Sequence, residues 1–374
     1  ILFYWRIITM EHIENDNKYE GLAVNKGVAQ PPAVNPYLNK IRKVRRRQYT
    51  AAEYTEHILK GDITVLSQAV TLVESNLPDH QILAQEVIEK CLPYAGSSVR
   101  VGITGVPGSG KSTSIDAFGL HVLKKGGKLA VLAIDPSSEL SKGSILGDKT
   151  RMEKLSVADN AFIRPSPSAG SLGGVARKTR ETIVLCEAAG FDNIFVETVG
   201  VGQSETAVHS MVDFFLLIQL AGTGDELQGI KRGIMEMADG IVINKADGSN
   251  IEKAKLAQAH FRNALHLFPP TPSGWIPQVL TYSGYYEIGI GEVWNMIDEY
   301  IAFVKKNGYF EHKRQEQAKY WMLETINDQL KSHFYQNSEI VSLLQEKENR
   351  VLHSIQSPFT AAKEVLDFYF GKIL

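Results

Sequence analysis

The run GVPGSGKS, from Gly105 to Ser112, holds the residues of this 374-residue chain that are best suited to phosphate chemistry. Its glycines allow successive backbone N–H groups to point inward and form a nest for an anion. Lys111 adds a positive charge that can reach the β- and γ-phosphates, and the Ser112 hydroxyl is a suitable Mg²⁺ ligand. The spacing predicts a phosphate-binding P-loop, the alternative being a glycine-rich turn without ligand. The residues predicted to bind nucleotide here are Gly105, Val106, Pro107, Gly108, Ser109, Gly110, Lys111, Ser112 and Thr113.

A second motif, Asn244-Lys245-Ala246-Asp247, follows a later apolar run and indicates which base the nucleotide carries. The Asp247 carboxylate can accept hydrogen bonds from the ring N–H and amino group of guanine, a donor pair that adenine lacks. Asn244 and Lys245 would shape the pocket, and Ser283 and Gly284 form the expected second base-contacting loop. After a P-loop, this N-K-x-D pattern predicts guanine specificity; the alternative is a helix N-terminus capped by asparagine.

Acidic and polar residues at other predicted strand ends are candidates for metal binding and for sensing the γ-phosphate. Glu197 opens a segment in the place of the D-x-x-G of ordinary GTPases, where a carboxylate can hold Mg²⁺ through water and the Gly200 N–H can contact the γ-phosphate. Gln203 is a candidate for positioning the attacking water. Asp135 and Asp148 lie on loops where ligands of α/β folds collect, and a surface turn is the less favoured interpretation of Asp148.

Three arginines, Arg151, Arg177 and Arg180, are candidates for stabilising charge on the transferred phosphoryl group. Most arginines are simply solvated, so the sequence assigns none of them as an arginine finger.

Short apolar runs that alternate with helical patterns predict an α/β fold with a mostly parallel central sheet flanked by helices. Several of the runs are continuously apolar, as in strands buried on both faces. The predicted strands are Val99–Thr104, Leu129–Ile134, Phe162–Arg164, Asn193–Val196, Phe214–Leu220, Gly240–Asn244 and Val279–Thr281.

Composition changes along the chain predict four parts: a loosely ordered leader over 1–40, an N-terminal helical region over 41–97, the nucleotide-binding domain over 98–307 and a C-terminal helical arm over 308–374. The leader contains Met10, which would be a natural start. The basic run Lys40–Arg47 could meet an acidic partner, but a solvated helix face is the favoured interpretation. Helical periodicity alone leaves the arm open as an internal cap or a dimerisation element.

The composition excludes several functional classes. A net charge of −2 gives no general attraction to nucleic acid or anionic membranes. The two cysteines, Cys91 and Cys186, are far apart in sequence, which argues against a disulfide framework or a cysteine-based metal site. The apolar first residues are too few to span a bilayer and do not form a convincing secretion signal. We expect a cytoplasmic protein without nucleic-acid or membrane partners.

Five sequence runs resemble one family of the SIMIBI class of P-loop GTPases. TLVES (Thr71–Ser75) looks like part of the N-terminal helical region of the same family, and the resemblance covers roughly residues 50 to 330. The chain is similar to the metallochaperone-type GTPases associated with methylmalonyl-CoA mutase, called MeaB, MMAA or ArgK. The runs are AIDPSS…KGSILGDKTRM (Ala133–Met152), SPSAGSLGGVARKTRE (Ser166–Glu181), ETVGVGQSE (Glu197–Glu205), GDELQGIKRGIMEMAD (Gly224–Asp239) and NKAD.

The resemblance implies a GTPase that binds an adenosylcobalamin-dependent acyl-CoA mutase, most often methylmalonyl-CoA mutase, gates cofactor delivery and protects or reactivates the mutase. It implies that Asp135, Asp148 and Glu197 complete a Mg²⁺ and catalytic network with Lys111 and Ser112, and that residues from Leu220 to Lys231 form a third switch. On this basis the expected catalytic residues are Lys111, Asp148, Glu197 and Gln203, and the expected metal ligands are Ser112, Asp135, Asp148 and Glu197. The family also favours a homodimer joined through the C-terminal arm.

Three other functions compete with this one. A nickel-insertion GTPase would share the glutamate at 197, but the chain lacks the clustered cysteines or histidine-rich tract of metal handling. An ATP-dependent kinase conflicts with the N-K-x-D motif, and a scaffold that only binds GTP conflicts with the set Lys111, Ser112 and Glu197.

Overall fold

The computed structural model describes residues 49–134, 152–165, 172–198, 204–221 and 232–373. The predicted leader, the run Lys40–Arg47 and the candidates Asp135, Asp148, Arg151, Gly200 and Gln203 lie outside these described residues, as does most of the predicted third switch.

Three helices form the N-terminal helical region, and each begins where the sequence supplies a local start signal. Thr50 caps α1 (Ala51–Leu59) in a capping box with Glu53. The Asp62 carboxylate caps α2 (Ile63–Glu74) by accepting from two backbone N–H groups. Pro78 opens α3 (Pro78–Cys91), because its fixed φ suits the first helical position.

Among the described residues, seven strands form one sheet in the order β3-β2-β4-β1-β5-β6-β7, and every neighbouring pair is parallel. The predicted α/β class is confirmed. The strands are β1 (Val99–Gly105), β2 (Leu129–Ile134), β3 (Ala161–Arg164), β4 (Asn193–Thr198), β5 (Phe214–Leu220), β6 (Gly240–Asn244) and β7 (Gln278–Thr281).

Helices connect these strands and cover both faces of the sheet, as parallel strand connections require. The described helices after β1 are α4 (Lys111–Lys124), α5 (Leu172–Ala188), α6 (Ser204–His209), α7 (Arg232–Met237), α8 (Ile251–Leu265) and α9 (Ile290–Lys306), followed by α10 (Tyr309–Gln336), α11 (Ser338–Leu352) and α12 (Pro358–Ile373).

The two faces of the sheet carry separate hydrophobic cores. On one face, Ile103 of β1 packs in a buried cluster with Phe118 of α4 and Trp294 of α9. On the other face, Val196 of β4 belongs to a cluster shared with the N-terminal helices, α5 and α6, including Val208. Full burial of each such side chain contributes roughly 1.5–3 kcal/mol. Helix α4, which follows β1, and helix α6, which follows β4, therefore pack on opposite faces of the sheet.

The C-terminal helices begin against this core. Helix α10 is bonded to the segment between α6 and β5, while α11 and α12 share a smaller cluster that contains Ile340, Val365 and Tyr369. Residues from Tyr49 onward cluster as one compact unit, so the predicted boundaries at 97/98 and 307/308 fall inside it, and the four-part division stays a prediction. None of the described helices combines the length and the apolar character that crossing a bilayer requires.

Candidate nucleotide-binding site

The predicted P-loop lies at the carboxyl end of the central strand. Strand β1 ends at Gly105 and α4 begins at Lys111, so the loop joins a buried strand to a helix N-terminus. The neighbouring strand β4 pairs in register, with Glu197 beside Ile103, and its following helix lies on the opposite face. A crevice opens where two adjacent connections diverge in this way, and ligands of open α/β sheets bind there.

Two glycines permit the tight backbone path of the loop. A Cβ atom on Gly105 would lie 2.3 Å from the backbone oxygen of Ile218 on β5. Gly110, the N-cap of α4, has a φ of 85°, and a Cβ there would lie 2.7 Å from Asn244 Nδ2. A larger residue at position 105 would collide with backbone and displace the loop from the sheet. A larger residue at position 110 would be strained by the positive φ and would press on the Asn244 amide.

Lys111 lies within this loop, where Nζ donates to the Gly105 carbonyl oxygen at 2.8 Å and to that of Val106 at 3.4 Å. Burial lowers the pKa of Lys111, and the carboxylates of Glu197 and Glu205 oppose that shift. Glu205, on α6, is itself buried, and the sequence analysis did not single it out. Two acidic groups therefore favour the charged form of the ammonium that a phosphate would meet.

Ser112 and Glu197 meet at the crevice. Ser112 Oγ lies 3.5 Å from Glu197 Oε1, and Glu197 is buried at the end of β4. A hydroxyl and a carboxylate oxygen are hard ligands of the kind that Mg²⁺ takes beside phosphate oxygens and water, so this pair fits the predicted metal. Among the described residues no group of three or more His, Cys, Asp and Glu side chains is placed to hold a metal ion.

Asn244 joins the P-loop to the predicted base-contacting loops. Its Nδ2 donates to the Ser109 carbonyl oxygen at 2.7 Å, while its Oδ1 accepts from the backbone N–H groups of Lys245 at 2.8 Å and Gly284 at 3.0 Å. Both ends of one buried amide are thus used between three loops. Asn244 acts in this structure as a brace rather than as a helix cap.

The Asp247 carboxylate is oriented by the loop after β7. Asp247 Oδ2 accepts from Ser283 Oγ at 2.6 Å, and Ser283 in turn forms an antiparallel bridge with Ile288. A carboxylate oxygen can accept more than one hydrogen bond, so the bond from Ser283 orients the group and still allows both oxygens to meet the two donors of guanine. The structure therefore brings Asn244, Asp247, Ser283 and Gly284 together, and their contact with a guanine base stays a prediction.

Lys245 takes the left-handed conformation, with a φ of 59°, which is unusual for a residue with a side chain. Asn250 Nδ2 donates to the Lys245 carbonyl oxygen at 2.8 Å and supports this turn. Asn250 was missed because its position five residues after Lys245 matches no helical or strand spacing.

Two further polar residues lie in the site without having been predicted. Ser114 Oγ and Tyr282 OH lie 2.6 Å apart, and both side chains are buried between α4 and the loop after β7. Ser114 reads as an ordinary helix residue in the sequence, and Tyr282 lies in the expected base-contacting loop after the last predicted strand without a role of its own. No local pattern signals that they meet.

The two described arginine candidates are engaged elsewhere. Arg177 Nε donates to Glu181 one helical turn away at 2.8 Å, and the buried Arg180 guanidinium lies 5.2 Å from the ring centroid of Trp321 on α10. The first interaction lies within α5, and the second joins α5 to α10.

A P-loop at the centre of a parallel sheet, braced by the asparagine of an N-K-x-D motif at the end of β6, two strands away, defines a P-loop GTPase. The family model described as "Methylmalonyl Co-A mutase-associated GTPase MeaB" matches residues 66–339. This chain belongs to that MeaB family, and the resemblance of its motifs is confirmed.

Curated relatives and a solved structure agree with this assignment. The chain is 44% identical over 319 residues to "GTPase ArgK" of Escherichia coli, covering 85% of this chain and 96% of the relative. It is also 44% identical over 319 residues to the mouse protein "Methylmalonic aciduria type A homolog, mitochondrial", covering 83% of this chain and 77% of the relative. A crystal structure described as "LAO/AO transport system kinase" aligns with a TM-score of 0.69 and 38% identity, covering 86% of this chain and 98% of that one.

These findings decide between several of the predicted functions. The chain is a GTPase of the MeaB family, which sets aside the nickel-insertion and the purely scaffolding alternatives.

Proposed function

We propose that this protein hydrolyses GTP to GDP and phosphate with Mg²⁺ and serves as a chaperone of an adenosylcobalamin-dependent acyl-CoA mutase, with methylmalonyl-CoA mutase as the first partner to test. In this role nucleotide state gates cofactor delivery and the protection or reactivation of the mutase. The partner is supported by the description of the matching family and by the name of the mouse relative. The GTP chemistry is supported above all by Asn244, which braces the P-loop against the base loops.

The proposed reaction is in-line attack of water on the γ-phosphate. Lys111 and the backbone N–H groups of the P-loop would stabilise the negative charge that builds on the phosphoryl oxygens. Ser112 and Glu197 would hold Mg²⁺, with Asp135 and Asp148 completing the set, and the ion would supply further charge neutralisation. Gly200 would sense the γ-phosphate, and Gln203 would position the water.

Intrinsic turnover should be slow, because Arg177 pairs with Glu181, Arg180 lies against Trp321, and the sequence assigns no arginine finger. A partner that supplies an arginine or orders the switch loops can raise the rate by about 10³–10⁵. Hydrolysis would then act as a timer: GTP orders the loops around Asp148 and Gly200, and loss of the γ-phosphate releases them.

We further propose a homodimer joined through the C-terminal arm and located in the cytoplasm. The arm exposes large apolar side chains, including Leu323, Ile326 and Leu330 on α10, which supports a protein interface there. Cys91 and Cys186 are both free and buried, which suits a reducing compartment.

The first test measures GTP hydrolysis by the purified protein, alone and with apo methylmalonyl-CoA mutase from the same source. We expect a slow basal rate that rises many-fold with the mutase. Lys111→Ala should abolish both rates, because it removes the charge at the phosphates, and normal turnover by that variant would rule out the P-loop assignment. A basal rate that the mutase leaves unchanged would direct the search to relatives such as isobutyryl-CoA or ethylmalonyl-CoA mutase.

A second candidate, a nucleotide-dependent kinase, is favoured only by the description of the similar crystal structure as a transport system kinase. The same assay with ATP distinguishes it. A kinase would consume ATP at least as well as GTP and would require an acceptor, whereas the proposed GTPase prefers GTP and releases inorganic phosphate without one.

A further inference from the structure

We propose that Tyr282 is a positioning residue for the phosphate cradle: through Ser114, its hydroxyl fixes the peptide units at the turn from the P-loop into α4. The proposal rests on the guanine-nucleotide site proposed above. Tyr282 lies in the loop after β7 that is expected to contact the base. It would thus help to hold the phosphates, which lie at the other end of the nucleotide.

The hydrogen bonds around Ser114 fix the direction of the bond to Tyr282. Ser114 Oγ lies 2.8 Å from the Gly110 carbonyl oxygen, 2.6 Å from Tyr282 OH and 3.4 Å from Asn244 Nδ2. A carbonyl oxygen can only accept, so the single Ser114 proton is donated to Gly110. Tyr282 and Asn244 must then be the donors, and the serine hydroxyl donates once and accepts twice, which uses its full capacity.

Tyr282 is well suited to act as a fixed donor. Its side chain is buried and its ring stacks on Phe118 of α4 at a centroid distance of 5.5 Å. Its backbone N–H donates to the Ile243 carbonyl oxygen at 3.0 Å, and its carbonyl oxygen accepts from Ala246 N–H at 3.0 Å. Burial raises the pKa of Tyr282, so the phenol keeps its proton at any pH that the fold tolerates.

The effect on the cradle follows from the planarity of the peptide bond. In a trans peptide the carbonyl and the next N–H point in opposite directions. Asn244 holds the Ser109 carbonyl oxygen and Ser114 holds that of Gly110, so the N–H groups of Gly110 and Lys111 are turned the other way. In a P-loop these are donors to the phosphates. Tyr282 supports this orientation because it keeps the Ser114 hydroxyl aligned on Gly110.

The test compares Tyr282→Phe with the wild-type chain. Phenylalanine keeps the ring and the backbone bonds to Ile243 and Ala246, so only the donor to Ser114 is lost. We expect the Kd for GDP, measured by calorimetry with Mg²⁺ at 25 °C, to rise about three- to tenfold, the usual worth of one hydrogen bond. Ser114→Ala should give a rise of similar size, and the double variant should be no worse than the more affected single variant.

Two controls separate positioning from general stability. Tyr300→Phe removes a hydroxyl from another buried tyrosine of the same core cluster, and it should leave the Kd for GDP unchanged. The ratio of GDP to IDP affinity should also be unchanged in Tyr282→Phe, because inosine lacks only the amino group that faces Asp247. In contrast, Ser283→Ala should lower that ratio, since it removes the donor that orients the Asp247 carboxylate.

A Kd for GDP within twofold of wild type in both Tyr282→Phe and Ser114→Ala would overturn the inference while leaving the guanine site intact. Equal loss of affinity in Tyr300→Phe would also overturn it, because a structural effect would then suffice. Failure of the wild-type chain to bind GDP would instead remove the proposed function on which the inference rests.

Discussion

At the scale of single residues, this site depends on side chains that orient other side chains. Asp247 is held by Ser283, Lys245 by Asn250 and Gly110 by Ser114. The left-handed backbone at Lys245 costs of order 1–3 kcal/mol when it is not supported, and bonds from both Asn244 and Asn250 stabilise it here. Preorganisation of this kind lets a ligand bind without ordering the loops first.

Base recognition can be tested at Asp247. In Asp247→Asn the side chain presents an amide N–H₂ where guanine offers donors of its own, so one or two charge-assisted hydrogen bonds are lost. We expect the preference in kcat/KM for GTP over ATP to fall by about 10- to 100-fold. Xanthosine triphosphate, which carries an oxygen in place of the guanine amino group, should gain relative to GTP.

The matched control is Asp298→Asn, which changes an exposed aspartate on α9 that pairs with Lys125. It should leave nucleotide preference unchanged. If Asp247→Asn also keeps the GTP preference of the wild type, Asp247 does not belong to the base site.

At the scale of elements, α10 is the helix that ties the C-terminal part of the chain to the nucleotide-binding sheet. Residues spaced four apart on one of its faces donate to three carbonyl oxygens between α6 and β5. Lys313 Nζ donates to Asp213 at 2.7 Å, Gln317 Nε2 to Val212 at 2.8 Å and Trp321 Nε1 to Ser210 at 2.7 Å. The helix therefore holds the connection that follows the predicted γ-phosphate-sensing segment.

The strongest link in this attachment is the ion pair of Arg314 with Asp213. Arg314 donates to both carboxylate oxygens, at 2.9 and 2.7 Å, and also to the carbonyl oxygens of Gly96 and Ser98. Asp213 is buried, so Arg314→Met would leave a carboxylate without its cation. We expect the free energy of unfolding to fall by about 3 kcal/mol, measured by urea denaturation.

Lys60→Met is the corresponding surface control, since Lys60 and Glu56 form an exposed pair one helical turn apart. Its effect should stay below about 0.5 kcal/mol. Equal losses in the two variants would mean that α10 is not anchored through Arg314.

At the scale of the whole molecule, the exposed apolar face of α10 supports a dimer. Leu323, Ile326 and Leu330 are spaced three and four apart and are each 45–57% exposed. This spacing places them on one side of a helix. We expect Leu330→Glu to convert a dimer to a monomer in light-scattering measurements, because a charge would be buried without a partner.

Leu267→Glu serves as its control, because Leu267 is 81% exposed and follows α8, outside the arm. It should not change the mass in solution. A dimer that persists in Leu330→Glu and in Leu323→Glu would show that this face does not form the interface.

Much of the fold could be predicted because each strand is a local apolar run with its own boundaries. Strands β2, β5 and β6 match their predicted limits, and the other four differ by one or two residues. The spacing of Lys313, Gln317 and Trp321, which anchors α10, was overlooked because lysine and glutamine at helical spacing usually indicate a solvated face.

The sequence by itself determined the P-loop, the N-K-x-D motif and the α/β class, because these depend on residues close together in the chain. Only the tertiary structure decided the strand order, the bond between Ser112 and Glu197, and the meeting of Tyr282 with Ser114. Such contacts join residues far apart in sequence, and their existence depends on which strands become neighbours. Local spacing carries no information about that choice, since it follows from packing the whole sheet.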